Sequence, residues 1–298
     1  MRNMSEEFGQ YKLNINWYPG HMTKAKRMIA ENIKMVDAVC EIVDARIPLS
    51  SRNPSLAEII EKKPRLIILN RADQADPEAT LNWANHFKTS GAAVLETDSK
   101  SGKGVGGFPT AVRSLLKDVL ADYASKGQVG RGIRVMVVGI PNVGKSSFIN
   151  RVAKRKVAAA SDKPGVTRGK QWINIGSGIE MLDTPGVLWP KFDDQTVAEN
   201  LAFTGAIRDD IMDTETLGAN LMIRLNNFYP KRLAERYKLN IETELKPDMT
   251  GFQLLALVAK KRGFLISGGE YDLERMAITL LDEFRGGKLG RISLEQVE

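Results

Sequence analysis

The spacing of apolar residues changes near residue 190. Up to that point, short apolar and β-branched runs alternate with longer segments in which apolar residues recur every three or four positions. Runs 38–43, 65–69, 92–96, 133–138, 171–175 and 179–182 predict strands. Segments 22–36, 55–61, 77–88 and 110–123 predict helices, and a further helix is expected after residue 147. In the first, Met22, Ala25, Met28, Ile29, Ile33 and Val36 share one face, with Lys24, Lys26 and Arg27 off it. In the fourth, Val112, Leu115, Leu116, Val119 and Leu120 form the apolar side. Strands alternating with helices predict a doubly wound, mostly parallel α/β sheet. Beyond residue 190 the strand pattern stops, and 196–207, 214–226, 231–237, 251–261 and 271–284 all predict helices. Two domains are expected: an α/β domain over 1–190, with an N-terminal extension over 1–21, and a small all-helical domain over 191–298. A length of 298 residues agrees with that count.

Composition adds little to the fold but narrows the setting. With 43% hydrophobic and 27% charged residues, the chain can bury a sizeable core. No apolar run approaches the ~18 residues of a membrane span, and the first residues carry no apolar leader segment. A cytoplasmic protein with no membrane partner is therefore expected. The single cysteine, Cys40, rules out an internal disulfide and lies in a strand-like run that favours burial over catalysis. One cysteine and two histidines argue against a zinc site.

Charge is more informative because it is uneven. Residues 1–130 carry 18 Lys+Arg against 15 Asp+Glu, residues 131–190 carry 10 against 3, and residues 191–298 carry 15 against 18. The net charge of +7 is thus matched by that of the 131–190 stretch alone. Such a field suits a polyanion such as RNA, although a solvated basic face has the same composition. Arg151, Lys154, Arg155, Lys156, Lys163, Arg168 and Lys170 are the RNA-contact candidates.

That same stretch holds the sharpest motif. Gly139, Gly144, Lys145 and Ser146 fit G-x-x-x-x-G-K-[ST], behind a strand and ahead of a helix. Backbone N–H groups of such a loop, here from Asn142 and Val143 through Ser147, converge where a polyphosphate can sit. Lys145 would reach the β- and γ-phosphates and the Ser146 hydroxyl would hold Mg²⁺. Asp183 follows a strand and opens Asp-Thr-Pro-Gly, so it would hold Mg²⁺ through water while the Gly186 N–H meets the γ-phosphate. Thr167, in the loop 158–169, is placed to cap Mg²⁺ and γ-phosphate.

Asn70, Arg71 and Asp73 follow the second predicted strand and fit N-K-x-D with arginine in second place. The Asp73 carboxylate can accept from the N1–H and 2-amino group of guanine, a donor pair adenine lacks. Ser99 and Lys100, after the third strand, would add a backbone contact to the guanine carbonyl. GTP and GDP are therefore expected rather than ATP. These parts run in the order base-reading motif, second base loop, P-loop, switch loop, Asp-Thr-Pro-Gly. The usual order starts at the P-loop, so the domain is a circular permutation.

The chain resembles the circularly permuted GTPases that assemble ribosomes. The likeness rests on residues 17–22, 43–48, 70–73, 139–147, 164–168 and 183–190, and so spans nearly the whole chain. It implies a circularly permuted P-loop GTPase domain followed by a helical domain that contacts rRNA. It also implies GTP hydrolysis stimulated by the ribosomal particle and a role on a precursor of the large subunit. The alternative is a GTPase switch serving RNA modification or signalling. A monomer is expected. Val187 stands where many GTPases carry a water-orienting glutamine, and it cannot hydrogen-bond water. The resemblance puts a catalytic histidine at His21. Asn142 resembles the asparagine of potassium-activated GTPases, which would place K⁺ near the phosphates; otherwise it only shapes the loop.

Overall fold

The computed structural model describes residues 21–60, 62–128, 130–155, 171–189, 192 and 194–297. The elements are α1 (His21–Asn32), β1 (Ala38–Asp44), α2 (Pro54–Ile60), β2 (Arg65–Asn70), α3 (Pro77–Thr89), β3 (Ala93–Thr97), α4 (Phe108–Leu115), α5 (Lys117–Ser125), β4 (Ile133–Val138), α6 (Lys145–Val152), β5 (Gln171–Asn174) and β6 (Ile179–Asp183). Then follow α7 (Gln195–Phe203), α8 (Thr214–Phe228), α9 (Pro230–Tyr237), α10 (Gly251–Arg262) and α11 (Leu273–Arg285).

The strands form one sheet in the order β3-β2-β1-β4-β6-β5. All pairings are parallel except β5 with β6. β1 is buried along its whole length, as a central strand covered on both faces should be. The chain builds outward from β1 to β3 on one side and from β4 to β6 and β5 on the other. The order therefore reverses between β1 and β4, and loops leaving their carboxyl ends diverge to open a crevice. Register brings Asp44, Asn70 and Thr97 level with one another, and Val137 level with Asp183.

Local chemistry explains the boundaries. Asp76 accepts from the N–H groups of Glu78 and Ala79 and Pro77 sits at N1, which together start α3. Thr250 and Gln253 form a reciprocal capping box on α10. The single helix expected over 110–123 is broken: α4 ends at Leu115 and α5 begins at Lys117. Val112 and Leu116 are buried, whereas Val119 and Leu120 are only half-buried. The apolar stripe thus loses its anchor after Leu116, and the helix restarts. Burial pushes the Cys40 thiol far above its ordinary range, so it is an inert core group.

The described residues fall into two compact units, one of Tyr18–Pro190 with Glu295–Glu298, the other including Lys191–Leu294. The tail beyond Leu294 therefore belongs with the sheet. The Glu295 carboxylate accepts from the N–H of Leu49 at 2.6 Å and of Ser50 at 2.9 Å, and from the Ser50 hydroxyl. The Trp83 indole N–H donates to the Glu295 carbonyl at 3.3 Å, and Val297 packs on the cluster around Trp83, Phe87 and Leu69. In the helical unit, α8 meets α10 and α11 through glycine. A Cβ on Gly218 would lie 2.5 Å from the Ala277 Cβ, and one on Gly251 2.2 Å from the Ala219 carbonyl oxygen. Buried Glu199 pairs with Arg224 at 2.8 Å, and Asn220 donates to the same carboxylate.

Candidate nucleotide site

The P-loop bridges β4 and α6, and two of its glycines are dictated by close approach. Gly139 has φ +155, and a Cβ there would lie 2.5 Å from the Ile42 carbonyl oxygen. Gly144 has φ +91, and a Cβ there would lie 2.4 Å from the Asn70 Nδ2. The phosphate loop and the base-reading strand end are thus in direct contact, although the two motifs are far apart in sequence.

Asn70 makes that contact specific. Its Nδ2 donates to the Val143 carbonyl at 2.8 Å. Its Oδ1 accepts from the Thr97 hydroxyl at 3.1 Å, the Ser99 N–H at 3.1 Å and the Ser99 hydroxyl at 2.7 Å. The carboxamide, buried with Thr97 and Ser99, ties together the P-loop and both base loops. Arg71 adds a second tie: its Nη2 donates to the Asn142 carbonyl at 2.8 Å, and its Nε lies 3.7 Å from the Asp44 carboxylate. Arg71 and Asn142 both have positive φ, at 60° and 61°, the αL conformation that asparagine tolerates better than arginine. Asp73 is exposed, where an incoming base can reach it.

Asp44 was not singled out by sequence. It is buried and bonded to Arg46, at 2.9 Å to Nε and 2.7 Å to Nη2. Burial alone would raise its carboxyl, but Arg46 and Arg71 outweigh that and hold it below the ordinary range. The loop that begins there also reaches the far side of the site. Asn53 Nδ2 donates to the Val187 carbonyl at 2.7 Å, while the Val187 N–H donates to the Gly139 carbonyl at 3.3 Å. Val187 is therefore pinned at both ends of its backbone and buried. The sequence signal for this loop was the 43–48 stretch, which carried a resemblance without a role.

The charged core of the site is Lys145 with Asp183. The Lys145 Nζ donates to the carbonyls of Gly139 at 3.0 Å and Ile140 at 2.7 Å. Burial pulls its pKa down to about 8, partly opposed by the Asp183 charge. Burial pushes Asp183 up to about 6, partly opposed by Lys145 and by the Thr184 N–H. The Asp183 Oδ1 is buried and without a hydrogen-bond partner among the described residues. An orphaned carboxylate oxygen fits the place of a hard cation, and Ser146, half-buried at the start of α6, supplies a hydroxyl of the matching kind. A Cβ on Gly186 would lie 2.9 Å from the Pro141 nitrogen and 3.0 Å from the Lys145 Nζ, so this switch glycine touches the P-loop.

Among the other sequence candidates, Ser147 and Lys100 are exposed and Val143 is buried in the P-loop. Arg151, grouped with the RNA-contact cluster, has its guanidinium on the carbonyls of Ser99 and Lys100. Lys154 and Arg155 are exposed. Thr167, Lys156, Lys163, Arg168 and Lys170 lie outside the described residues, as does the side chain of His21, whose backbone opens α1.

The chain matches the family described as 50S ribosome-binding GTPase over residues 134–219. It is 45% identical over 284 residues to ribosome biogenesis GTPase A of Bacillus cereus, covering 95% of this chain and 94% of that one. The protein of the same name from Thermotoga maritima is 31% identical, with 95% of each chain covered. Among solved structures, GNP-bound YlqF from T. maritima is similar with a TM-score of 0.62 at 27% identity, covering 92% of this chain and 98% of that one. The GDP-bound form gives a TM-score of 0.60.

Proposed function

The chain belongs to the ribosome biogenesis GTPase A family, and from that premise we propose that it assembles the large ribosomal subunit. It is a guanine-nucleotide-binding GTPase of a domain class that works with Mg²⁺. In this reading it joins a precursor of that subunit in its GTP form, holds rRNA, and leaves after hydrolysis. The observation that carries the RNA part is charge: residues 131–190 hold 10 Lys+Arg against 3 Asp+Glu, around the phosphate loop itself. Lys154, Arg155, Lys156, Lys163, Arg168 and Lys170 form the RNA-facing set. The helical part of 191–298 adds local basic contacts. Lys231 with Arg232, Lys260 with Lys261 and Arg262, and the 285–291 stretch are the candidates there, although Arg285 itself is turned onto Asp209 and the carbonyls of Ala202 and Phe203. The protein acts in the cytoplasm as a monomer.

For hydrolysis, Ser146, Thr167 and Asp183 would hold Mg²⁺, which would supply positive charge beside the phosphates. Lys145 adds its own charge, and the Gly186 N–H meets the γ-phosphate. Val187, buried with both backbone groups engaged, orients no water. His21 takes that role, and Asn142 is the residue that would hold a K⁺, which would add positive charge beside the phosphates. The deciding experiment is sedimentation with ribosomal particles under a non-hydrolysable GTP analogue, GDP and no nucleotide. Comigration with a large-subunit species under the analogue is expected; comigration that ignores the nucleotide would overturn the reading. Neutralising the six basic residues should weaken particle-stimulated hydrolysis more than intrinsic hydrolysis.

A further inference from the structure

Arg151 stands in the last turn of α6, the helix whose first residue is Lys145. Its Nε lies 3.3 Å from the Ser99 carbonyl, and its Nη2 donates to the Lys100 carbonyl. Gly102 makes room for this: with φ +94, a Cβ there would lie 3.2 Å from the Arg151 Cδ and 3.3 Å from its Nε. On the opposite edge of the same peptides, the Asp98 carboxylate accepts from the N–H of Lys100 at 2.8 Å and of Ser101 at 3.2 Å. The C=O and N–H of one peptide point in opposite directions. The Ser99–Lys100 and Lys100–Ser101 peptides are therefore held from both sides, by a guanidinium on their carbonyls and a carboxylate on their N–H groups. The third peptide of the loop is fixed by Asn70, which takes the Ser99 N–H.

We propose that Arg151 is a specificity-determining positioning residue: by holding the Ser99 and Lys100 carbonyls it sets the loop that meets the guanine carbonyl. This rests on the reading of Ser99 and Lys100 as that loop. Arg151 touches neither base nor phosphate in this role. It acts through α6, a rigid rod of eight residues and about 12 Å. One end of that rod carries the phosphate-binding lysine and the other grips the base loop. The helix thus gauges the distance between the two ends of the nucleotide, and a polar surface arginine becomes part of base selection.

The test compares three diphosphates by calorimetry on the full chain. GDP carries both the carbonyl and the 2-amino group, IDP keeps the carbonyl without the amino group, and 2-aminopurine riboside diphosphate keeps the amino group but lacks the carbonyl and the ring N1–H. Charge-assisted bonds of this kind predict that Arg151→Ala weakens GDP and IDP by about tenfold each. The 2-aminopurine nucleotide should change by less than about twofold, so that discrimination for the carbonyl shrinks while the GDP-to-IDP ratio is kept. Arg151→Lys, which can still reach one carbonyl, should recover part of the loss. Equal weakening of all three nucleotides would mean a general structural role and overturn the proposal, as would unchanged binding. If the unmutated protein itself fails to favour GDP over the 2-aminopurine nucleotide, the base-loop reading falls and the proposal with it.

Discussion

Nucleotide binding should become a proton-uptake reaction above about pH 8, because of where Lys145 sits. The amine is buried and its hydrogen bonds go to two carbonyls, with the Asp183 charge offsetting only part of the burial. Burial therefore lowers its pKa from 10.5 to about 8. Phosphates bind the charged form, so each neutral amine must first gain a proton. The apparent dissociation constant then scales with one plus the neutral-to-charged ratio of the free protein. From pH 7 to pH 8.8 it should rise about sevenfold, or about 1.1 kcal/mol, with proton uptake climbing from about 0.1 to about 0.9 per GDP bound. Calorimetry in two buffers of different ionisation enthalpy counts those protons directly. Asp183→Asn removes the charge that props the amine up, so the midpoint should move below pH 8. The same group acts on stability with a definite sign. Its folded pKa is depressed, so the unfolded chain holds more protons between about pH 8 and 10.5. The nucleotide-free protein should therefore gain up to about 3 kcal/mol from this group across that window, with the full penalty present below it. Zero proton uptake between pH 7.5 and 8.8 would show that the amine stays charged without nucleotide, and would refute the burial argument.

If Asp73 reads the base as proposed, Asp73→Asn should lower GDP affinity about a hundredfold or more, because two bonds from the base to a carboxylate would be lost, and should improve binding of XDP, whose second carbonyl suits the new amide; competition between GDP and XDP on the variant reads both effects. Glu295→Ala removes an acceptor bonded to the Leu49 and Ser50 N–H groups, and a loss of about 2 kcal/mol in urea unfolding of the full chain is expected; an unchanged midpoint would show that the tail does not dock in solution.

What could be read from the chain followed the range of the contacts. The 133–138 run predicted β4 to the residue because a near-continuous apolar run is a local signal, and the other strands came within a residue or two. Both nucleotide motifs and their permuted order were visible because each is a fixed spacing within one turn. The tie between them was not. Asn70 fits a base-reading motif, yet its carboxamide is taken up by Val143 in the P-loop, Thr97 at the end of β3 and Ser99 in the loop that follows. Arg151 looks from sequence like any other basic residue on an exposed helix face, and only the folded loop shows what its guanidinium meets. Asp44 pairs locally with Arg46, but its second cation, Arg71, and the Val187 carbonyl that Asn53 meets are brought close only by the fold, so neither role has a spacing signature.

The Glu295 seat has a consequence for the chain's own birth. Leu49 precedes the residue that caps it by 246 positions. At roughly 5–20 residues per second of translation, the seat emerges about 12–50 s before its occupant. During that interval the Leu49 and Ser50 amides depend on solvent, and the apolar cluster beside Trp83 lacks Val297. The nucleotide-binding unit is thus begun early and closed late, and its closure waits until the whole helical stretch between has been made. A chain halted within that stretch carries an unfinished nucleotide unit, whatever the state of its P-loop.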